Sequence, residues 1–182
     1  MKKQNIVMAF FLGMVCCSGC SAGEKEGNME IMIVSAAFES MAPIPSAYTC
    51  DGENISPPLA WSGVPPQARS LVLICDDPDA PAGDWVHWVC YDIPPDVTEL
   101  PENIQPGSTL PCGGMQGKTD FGTVGYGGPC PPSGTHRYFF KVYALDTVLN
   151  LPAGQTKKQI EKAMQGHVLA AGEQVGTYSR RR

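Results

Sequence analysis

The chain has 182 residues, a formal net charge of −5 at pH 7, 43% hydrophobic residues and 17% charged residues. This length suits one domain, the apolar content is enough for a hydrophobic core, and so few charges exclude a disordered chain. The negative charge argues against an electrostatic nucleic-acid binder, which needs a basic face, and 20 glycines with 17 prolines exclude a fold dominated by long helices.

The N-terminal segment has the features of an export signal. Two lysines at positions 2 and 3 precede an apolar run over residues 6–15, which is too short to cross a bilayer as a helix. Small residues then lead to Cys20, a pattern that resembles a bacterial lipobox with Cys17 where Leu is usual. We therefore predict a lipoprotein signal peptide at 1–19 and acylation of Cys20. An ordinary cleaved signal peptide is the alternative.

The segment that follows is predicted to be a tether. Residues 20–29 are mostly small and polar, as in flexible linkers, so the folded domain is predicted at 30–182. Acyl chains on Cys20 would attach the exported protein to the cell envelope. Ser21 is not an inner-membrane retention signal of the Asp type, so the outer membrane is expected in a Gram-negative host.

Short apolar runs alternate with turn-rich stretches along the rest of the chain. Runs rich in aromatic and β-branched residues predict strands, and clusters of Gly and Pro predict the turns between them. The predicted strands are 31–34, 70–75, 86–93 and 136–145, and the stretches interpreted as turns are 56–66 and 106–132.

One helix is predicted late in the chain. Thr156 and Gln159 fit a capping box, and Ile160 and Met164 follow at helical spacing. The segment 167–178 could extend this helix or form a last strand, and its glycines favour the strand. The whole pattern predicts a mostly β, single-domain antiparallel β-sandwich with one or two short helices, one of them near the C-terminus.

The cysteines suit an oxidising compartment. Removal of the leader and acylation of Cys20 leave five cysteines, an odd number, so at least one is expected to stay free. Cys75 and Cys90 lie in apolar strands and are expected to be buried thiols. The other three cysteines lie in Gly- and Pro-rich loops, where the sequence allows either a disulfide or metal ligation: Cys50, Cys112 and Cys130. No zinc-type ligand spacing occurs, so neither a structural metal nor a cofactor is predicted.

Three polar clusters interrupt the apolar frame. An Asp- and Pro-rich loop containing Asp77 and Asp79 follows the strand at 70–75, and on spacing alone a simple turn explains it. His87 lies between two tryptophans on an apolar strand, where a buried structural histidine is common. His136 follows a Gly/Pro loop and starts a strand, an arrangement that either marks a turn or forms an anion nest.

Taken in order, these clusters resemble the phosphatidylethanolamine-binding protein family, and within it the bacterial Raf-kinase-inhibitor-like branch. The two signature regions match in spacing, and further matches cover the chain from about residue 31 to residue 180. The segments that carry the resemblance are 51–61, 77–81, 85–87, 119–122, 128–129, 136–138 and 166–178. The resemblance implies a β-sandwich with a small pocket for phosphate-like anions.

The resemblance also assigns residues to this pocket. The ligand-binding residues that it implies are Asp77, His87, Gly128, Pro129, His136 and Tyr138, with Asp79 and Trp85 in support. The two imidazoles, the phenol and backbone amides near Gly128 are the expected anion donors. Cys50 and Cys130 both lie in loops that match the bacterial branch, which implies that they pair near the pocket rim.

These features favour a membrane-anchored ligand-binding protein, with an inhibitory or regulatory role open. A hydrolase that uses the His/Asp pocket is an alternative, but no Ser or Cys lies in a recognised nucleophile motif, so catalysis ranks below binding. A protein-interaction module with a vestigial pocket is the third reading. The expected partners are a small anionic or phosphorylated ligand and a membrane; no protein partner is identified, and a homodimer is left open.

Overall fold

A computed structural model describes residues 29–180 of the protein. Strands account for most of the regular structure, with a short 3-10 turn at Ser46–Tyr48 and one α-helix, α1, at Lys157–Met164. The strands are β1 (Met29–Glu30), β2 (Met32–Val34), β3 (Leu59–Ser62), β4 (Ser70–Asp77), β5 (Trp85–Ile93), β6 (Glu99–Leu100), β7 (Met115–Gln116), β8 (His136–Leu145) and β9 (Val168–Tyr178).

The strands form two sheets. The larger sheet has the order β1-β9-β8-β4-β5-β7, and the smaller one has the order β2-β3-β6. All pairs are antiparallel except β1 with β9, which run parallel. The predicted fold class is therefore confirmed: a mostly β, two-sheet domain with its helix near the C-terminus.

The larger sheet is covered on both faces. One apolar cluster includes Trp61 of the smaller sheet together with Trp88 and Phe140 of the larger sheet. A second cluster packs Ile160 and Met164 of α1 against the other face of the larger sheet. Because both faces are covered, all eight residues of β4 are buried, which explains the continuous apolar run at residues 71–75 within this strand.

Helix α1 begins where the capping pattern predicts. The backbone N–H of Thr156 donates to Gln159 Oε1 at 2.9 Å, so the Gln side chain caps the start of the helix. The following segment forms β9, the favoured alternative for residues 167–178, and pairs along its length with β8.

Four short strands lie where no strand was predicted: β1, β3, β6 and β7. β3 falls within the stretch interpreted as turns, and it forms because Leu59 and Trp61 alternate inward to the core. The indole N–H of Trp61 also donates to Val97 O at 2.8 Å. Met29, the last residue of the predicted tether, belongs to β1 and pairs with Ala170.

The predicted signal peptide, the acylated Cys20 and the tether up to residue 28 lie outside the described residues. Within residues 29–180, no helix combines the length and apolar character needed to cross a membrane. Over the same range, no group of three or more His, Cys, Asp or Glu side chains is arranged to hold a metal ion.

Candidate functional site

The candidate site lies at one end of the larger sheet, where several strands begin or end. β4 ends at Asp77, which pairs with Trp85 at the start of β5. β8 begins at His136, which pairs with Tyr178 at the end of β9. The sheet therefore brings together polar residues that are far apart in the sequence.

Asp77 and His136 form a buried pair at the centre of this site. His136 Nδ1 lies 2.7 Å from Asp77 Oδ2, and both side chains are less than a tenth exposed. The second oxygen, Oδ1, accepts the backbone N–H of Asp79 at 2.8 Å. Since an ionised carboxylate only accepts, His136 carries its Nδ1 proton, and Nε2 is the ring nitrogen left for a ligand.

His87 is held in the same tautomer by a different partner. Its Nδ1 lies 2.6 Å from the carbonyl oxygen of Gly127, which can only accept, so Nδ1 is the donor. Burial lowers the pKa of His87 below its usual value, and the hydrogen bond to Gly127 opposes this effect only in part. His87 is thus a neutral imidazole near pH 7 whose Nε2 is an acceptor.

Tyr138 lies beside the two histidines and is fully buried. Its ring meets that of His87 edge to face, with centroids 5.1 Å apart. Burial and the negative charge of Asp77 raise the pKa of the Tyr138 phenol, so it stays protonated. Its hydroxyl has no hydrogen-bond partner among the residues that the structure describes, which leaves a buried polar group for a water or ligand to satisfy.

A cavity of about 260 Å³ opens above the Asp77–His136 pair. Four of the residues predicted from the sequence line it: Asp77, Trp85, His87 and His136. The rest of its wall comes from Ala80, Pro81, Ala82, Phe121, Cys130, Pro131 and Pro132. The cavity therefore has a small polar base and an apolar collar, an arrangement typical of small-molecule sites.

Phe121 is a wall residue that the site prediction omitted. Its ring packs edge-on against Trp85 and His87, with centroid distances of 5.6 Å and 5.2 Å. An added Cβ at Gly127 would lie 2.5 Å from the Phe121 ring, so the glycine lets this ring lie against the backbone. The sequence carried a signal for Phe121, because segment 119–122 was already part of the family resemblance.

Four residues predicted at the pocket do not line the cavity. Tyr138 packs edge to face against His87 and is not part of the lining. Asp79 turns outward and accepts two side-chain hydrogen bonds from Arg137, at 2.8 Å and 2.7 Å. This ion pair holds the pKa of Asp79 at about 2. The other two residues are Gly128 and Pro129.

Gly128 also cannot supply the expected anion donor. Its backbone N–H donates to Asn54 Oδ1 at 2.8 Å. The carbonyl of Pro129 accepts the backbone N–H of Cys50 at 3.1 Å. These two residues therefore hold the loop next to the cavity, and the Gly128 amide itself is already bonded to Asn54.

A disulfide joins two loops at the rim. Cys50 and Cys130 are bonded, with Cα atoms 5.4 Å apart, and Cys130 is part of the cavity wall. Cys75 and Cys90 are buried free thiols, and burial raises the pKa of both. Cys112 is a partly buried free thiol.

Comparison with known proteins gives a family match across the described domain. The family model named Phosphatidylethanolamine-binding protein matches residues 34–179. An UPF0098 protein of Methanothermobacter thermautotrophicus is 60% identical over 144 residues, which cover 79% of this chain and 95% of that protein. An UPF0098 protein of Pyrococcus horikoshii is 49% identical over 174 residues, covering 93% of this chain and 84% of the relative.

Two crystal structures share the fold. A phosphatidylethanolamine-binding protein homologue from Chlamydia trachomatis has a TM-score of 0.77 at 44% identity, over 84% of this chain and 99% of that one. YbcL of Escherichia coli, described as a member of the mammalian family, also has a TM-score of 0.77, at 34% identity and the same coverage.

Proposed function

The chain belongs to the phosphatidylethanolamine-binding protein family, and from that premise we propose that it is an exported, membrane-anchored ligand-binding protein that takes a small phosphate-like anion into the cavity above Asp77 and His136. The observation that carries the proposal is the buried Asp77–His136 pair. Because the Nδ1 proton of His136 is hydrogen-bonded to Asp77, a second proton on His136 would be bound at Nε2, next to the cavity.

The resulting imidazolium suits an anion. A doubly protonated His136 has its positive charge balanced by Asp77 on one side and presents an N–H donor on the other. Charge-assisted hydrogen bonds of this kind are stronger than neutral ones. The geometry of the pair therefore suits a charge-assisted hydrogen bond from His136 Nε2 to an anion.

His87 adds a preference for a ligand that itself carries a proton. Its Nε2 is an acceptor near pH 7, since burial keeps the ring neutral and Nδ1 is bonded to Gly127. A phosphate oxygen facing His136 and a P–OH group facing His87 would satisfy both rings. The apolar collar, including Trp85 and Phe121, suits an organic group attached to the phosphate.

A hydrolase function receives less support. The pair Asp77–His136 has the arrangement of a general base and its orienting carboxylate. However, the described residues that line the cavity include no Ser or Thr hydroxyl and no free thiol, because Cys130 is in a disulfide. The described lining therefore offers no hydroxyl or thiol nucleophile for the Asp77–His136 pair to activate.

The point at which the predicted tether joins the domain is compatible with an anchored protein whose cavity stays accessible. Met29, which follows the predicted tether, pairs with Ala170 near the start of β9, whereas the cavity lies at the other end, beside Tyr178. At a strand rise of about 3.3 Å per residue, Ala170 and Tyr178 are roughly 26 Å apart. A tether from Cys20 would therefore join the domain at a point far from the cavity mouth.

Titration of the exported protein with inorganic phosphate, followed by the imidazole NMR signals, tests the proposal. We expect saturable shifts of the His87 and His136 signals, with little change at the exposed His167. A phosphate titration that moves His167 as much as the two cavity histidines, or that does not saturate at millimolar phosphate, would overturn the anion-binding function.

A further inference from the structure

A buried charge cluster lies on the opposite side of β4 from the cavity. Asp76 precedes Asp77, and its carboxylate is fully buried beneath α1. It accepts hydrogen bonds from two ammonium groups, Lys141 Nζ at 2.8 Å and Lys157 Nζ at 2.6 Å. Successive residues of a strand face opposite sides of the sheet, so Asp76 faces the helix while Asp77 faces the cavity.

Lys157 also binds the far end of the same loop. Its ammonium group donates to Asp84 as well as to Asp76, and Asp84 directly precedes Trp85. The segment between these two carboxylates contains Asp77 and the wall residues Ala80, Pro81 and Ala82. One side chain at the start of α1 therefore bridges both ends of the loop that forms one side of the cavity.

The charge of Lys157 is maintained in this position. Burial by itself lowers the pKa of the ammonium group, but the hydrogen bonds to Asp76 and Asp84 outweigh burial and raise it above the usual value. The neighbouring Lys158 is exposed and makes no ion pair with any described residue, so the two lysines differ in contacts and not in charge.

We propose that Lys157 is a positioning residue for the cavity: by joining Asp76 to Asp84 it fixes the loop 77–84 and so sets the affinity for a phosphate-like anion. This proposal rests on the proposed function for its ligand. Lys157 does not line the cavity, so its effect passes through the loop backbone that carries Asp77 and the apolar wall. Ligand sites depend on such supporting contacts to hold their geometry.

Variants of the two partners of the bridge, Lys157 and Asp84, distinguish a positioning role from a direct effect of charge on the ligand. Lys157→Met removes a positive charge, which by itself weakens anion binding, but Asp84→Asn removes a negative charge, which by itself strengthens it. If the bridge positions the loop, both variants weaken binding. Lys158→Met is the matched control, since it removes an equal charge near the same place without removing a loop contact.

The experiment measures the phosphate affinity and the amide hydrogen exchange of residues 79–84 in the full chain. We expect about three- to tenfold weaker phosphate binding in Lys157→Met and a smaller loss in Asp84→Asn, with faster exchange of the loop amides in both. Lys157→Arg is expected to restore affinity and exchange close to wild type, and Lys158→Met to leave both unchanged.

Several outcomes would overturn the positioning role. Tighter phosphate binding by Asp84→Asn, or an equal loss in Lys158→Met, would mean that charge alone acts on the ligand. Unchanged loop exchange in Lys157→Met would mean that the bridge does not hold the loop. Asp84 is half-exposed, and Asp84→Asn leaves the buried pair of Asp76 with Lys141 in place. Asp84→Asn therefore tests the proposal even if Lys157→Met folds poorly. Failure of wild type to bind phosphate would overturn the proposed function instead, while the exchange rates still decide whether Lys157 positions the loop.

Discussion

His136 Nδ1 lies 2.7 Å from Asp77 Oδ2, a contact between residues that are 59 positions apart in the chain. The pair is buried, so each group depends on the other for its polar partner. A substitution at His136 therefore has two separable consequences: it removes Nε2 from the cavity, and it can leave Asp77 Oδ2 without a donor.

We predict that His136→Asn abolishes most phosphate binding while keeping the fold. The Asn amide N–H can occupy the place of Nδ1 and donate to Asp77, but it has no group at the position of Nε2. Loss of one charge-assisted donor costs about 1.5–3 kcal/mol, which is about tenfold or more in affinity. Isothermal titration with phosphate measures this loss.

His136→Ala serves as the comparison. It loses the same ligand contact and also leaves the Asp77 carboxylate buried without its partner, so it should be less stable than His136→Asn. Equal phosphate affinity in wild type and His136→Asn would contradict the role of Nε2.

The family resemblance, carried by the order of motifs along the chain, implied Asp77, Trp85, His87 and His136 as pocket residues. Each motif taken alone was explained as well by a turn or by a buried structural histidine. The outward turn of Asp79 could not be predicted, since it depends on Arg137, 58 positions away. The hydrogen bond of the Gly128 amide to Asn54 and those of Lys157 to Asp76 and Asp84 likewise join residues 73 to 81 positions apart. Strand alternation gives the face of a residue, but its partners come from packing.

We predict that His87 makes the protein less stable at acid pH. Its pKa in the folded state is lowered from the ordinary value of 6.5 by burial, so below that pH the unfolded chain binds more protons. The stabilisation is fully present above about pH 6.5 and is lost as the pH falls through the lower pKa that His87 has in the folded state. Urea unfolding at several pH values measures this effect.

The matched variant is His87→Asn, whose amide can still donate to the Gly127 carbonyl but does not titrate. The difference in unfolding free energy between wild type and His87→Asn should shift against wild type as the pH falls below 6.5. A pH-independent difference would mean that His87 is not the neutral, buried group described above.

We predict that reduction of the Cys50–Cys130 disulfide destabilises the domain. The bond closes a loop with a sequence separation of 80 residues, for which the loss of chain entropy in the unfolded state amounts to up to about 4 kcal/mol. The double variant Cys50→Ser/Cys130→Ser should unfold at lower urea concentration than wild type. Cys112→Ser is the control, since Cys112 is a partly buried free thiol. Alkylation of Cys50 in the unreduced wild type would contradict the bridge.

We predict that Cys20 anchors the protein to the membrane. Wild type should partition with membranes and incorporate labelled palmitate, whereas Cys20→Ala should be soluble or unprocessed, because burial of acyl chains contributes about 0.8 kcal/mol per CH₂ group. Cys17→Leu is the matched control: it brings the lipobox to its usual form and should keep the anchor. An ordinary signal peptide instead predicts that wild type is released without detergent. The tether would join the domain at Met29, which pairs with Ala170 at the end of β9 away from His136, so anchored and unanchored forms should bind phosphate equally well. The anchor and the cavity can thus be tested independently.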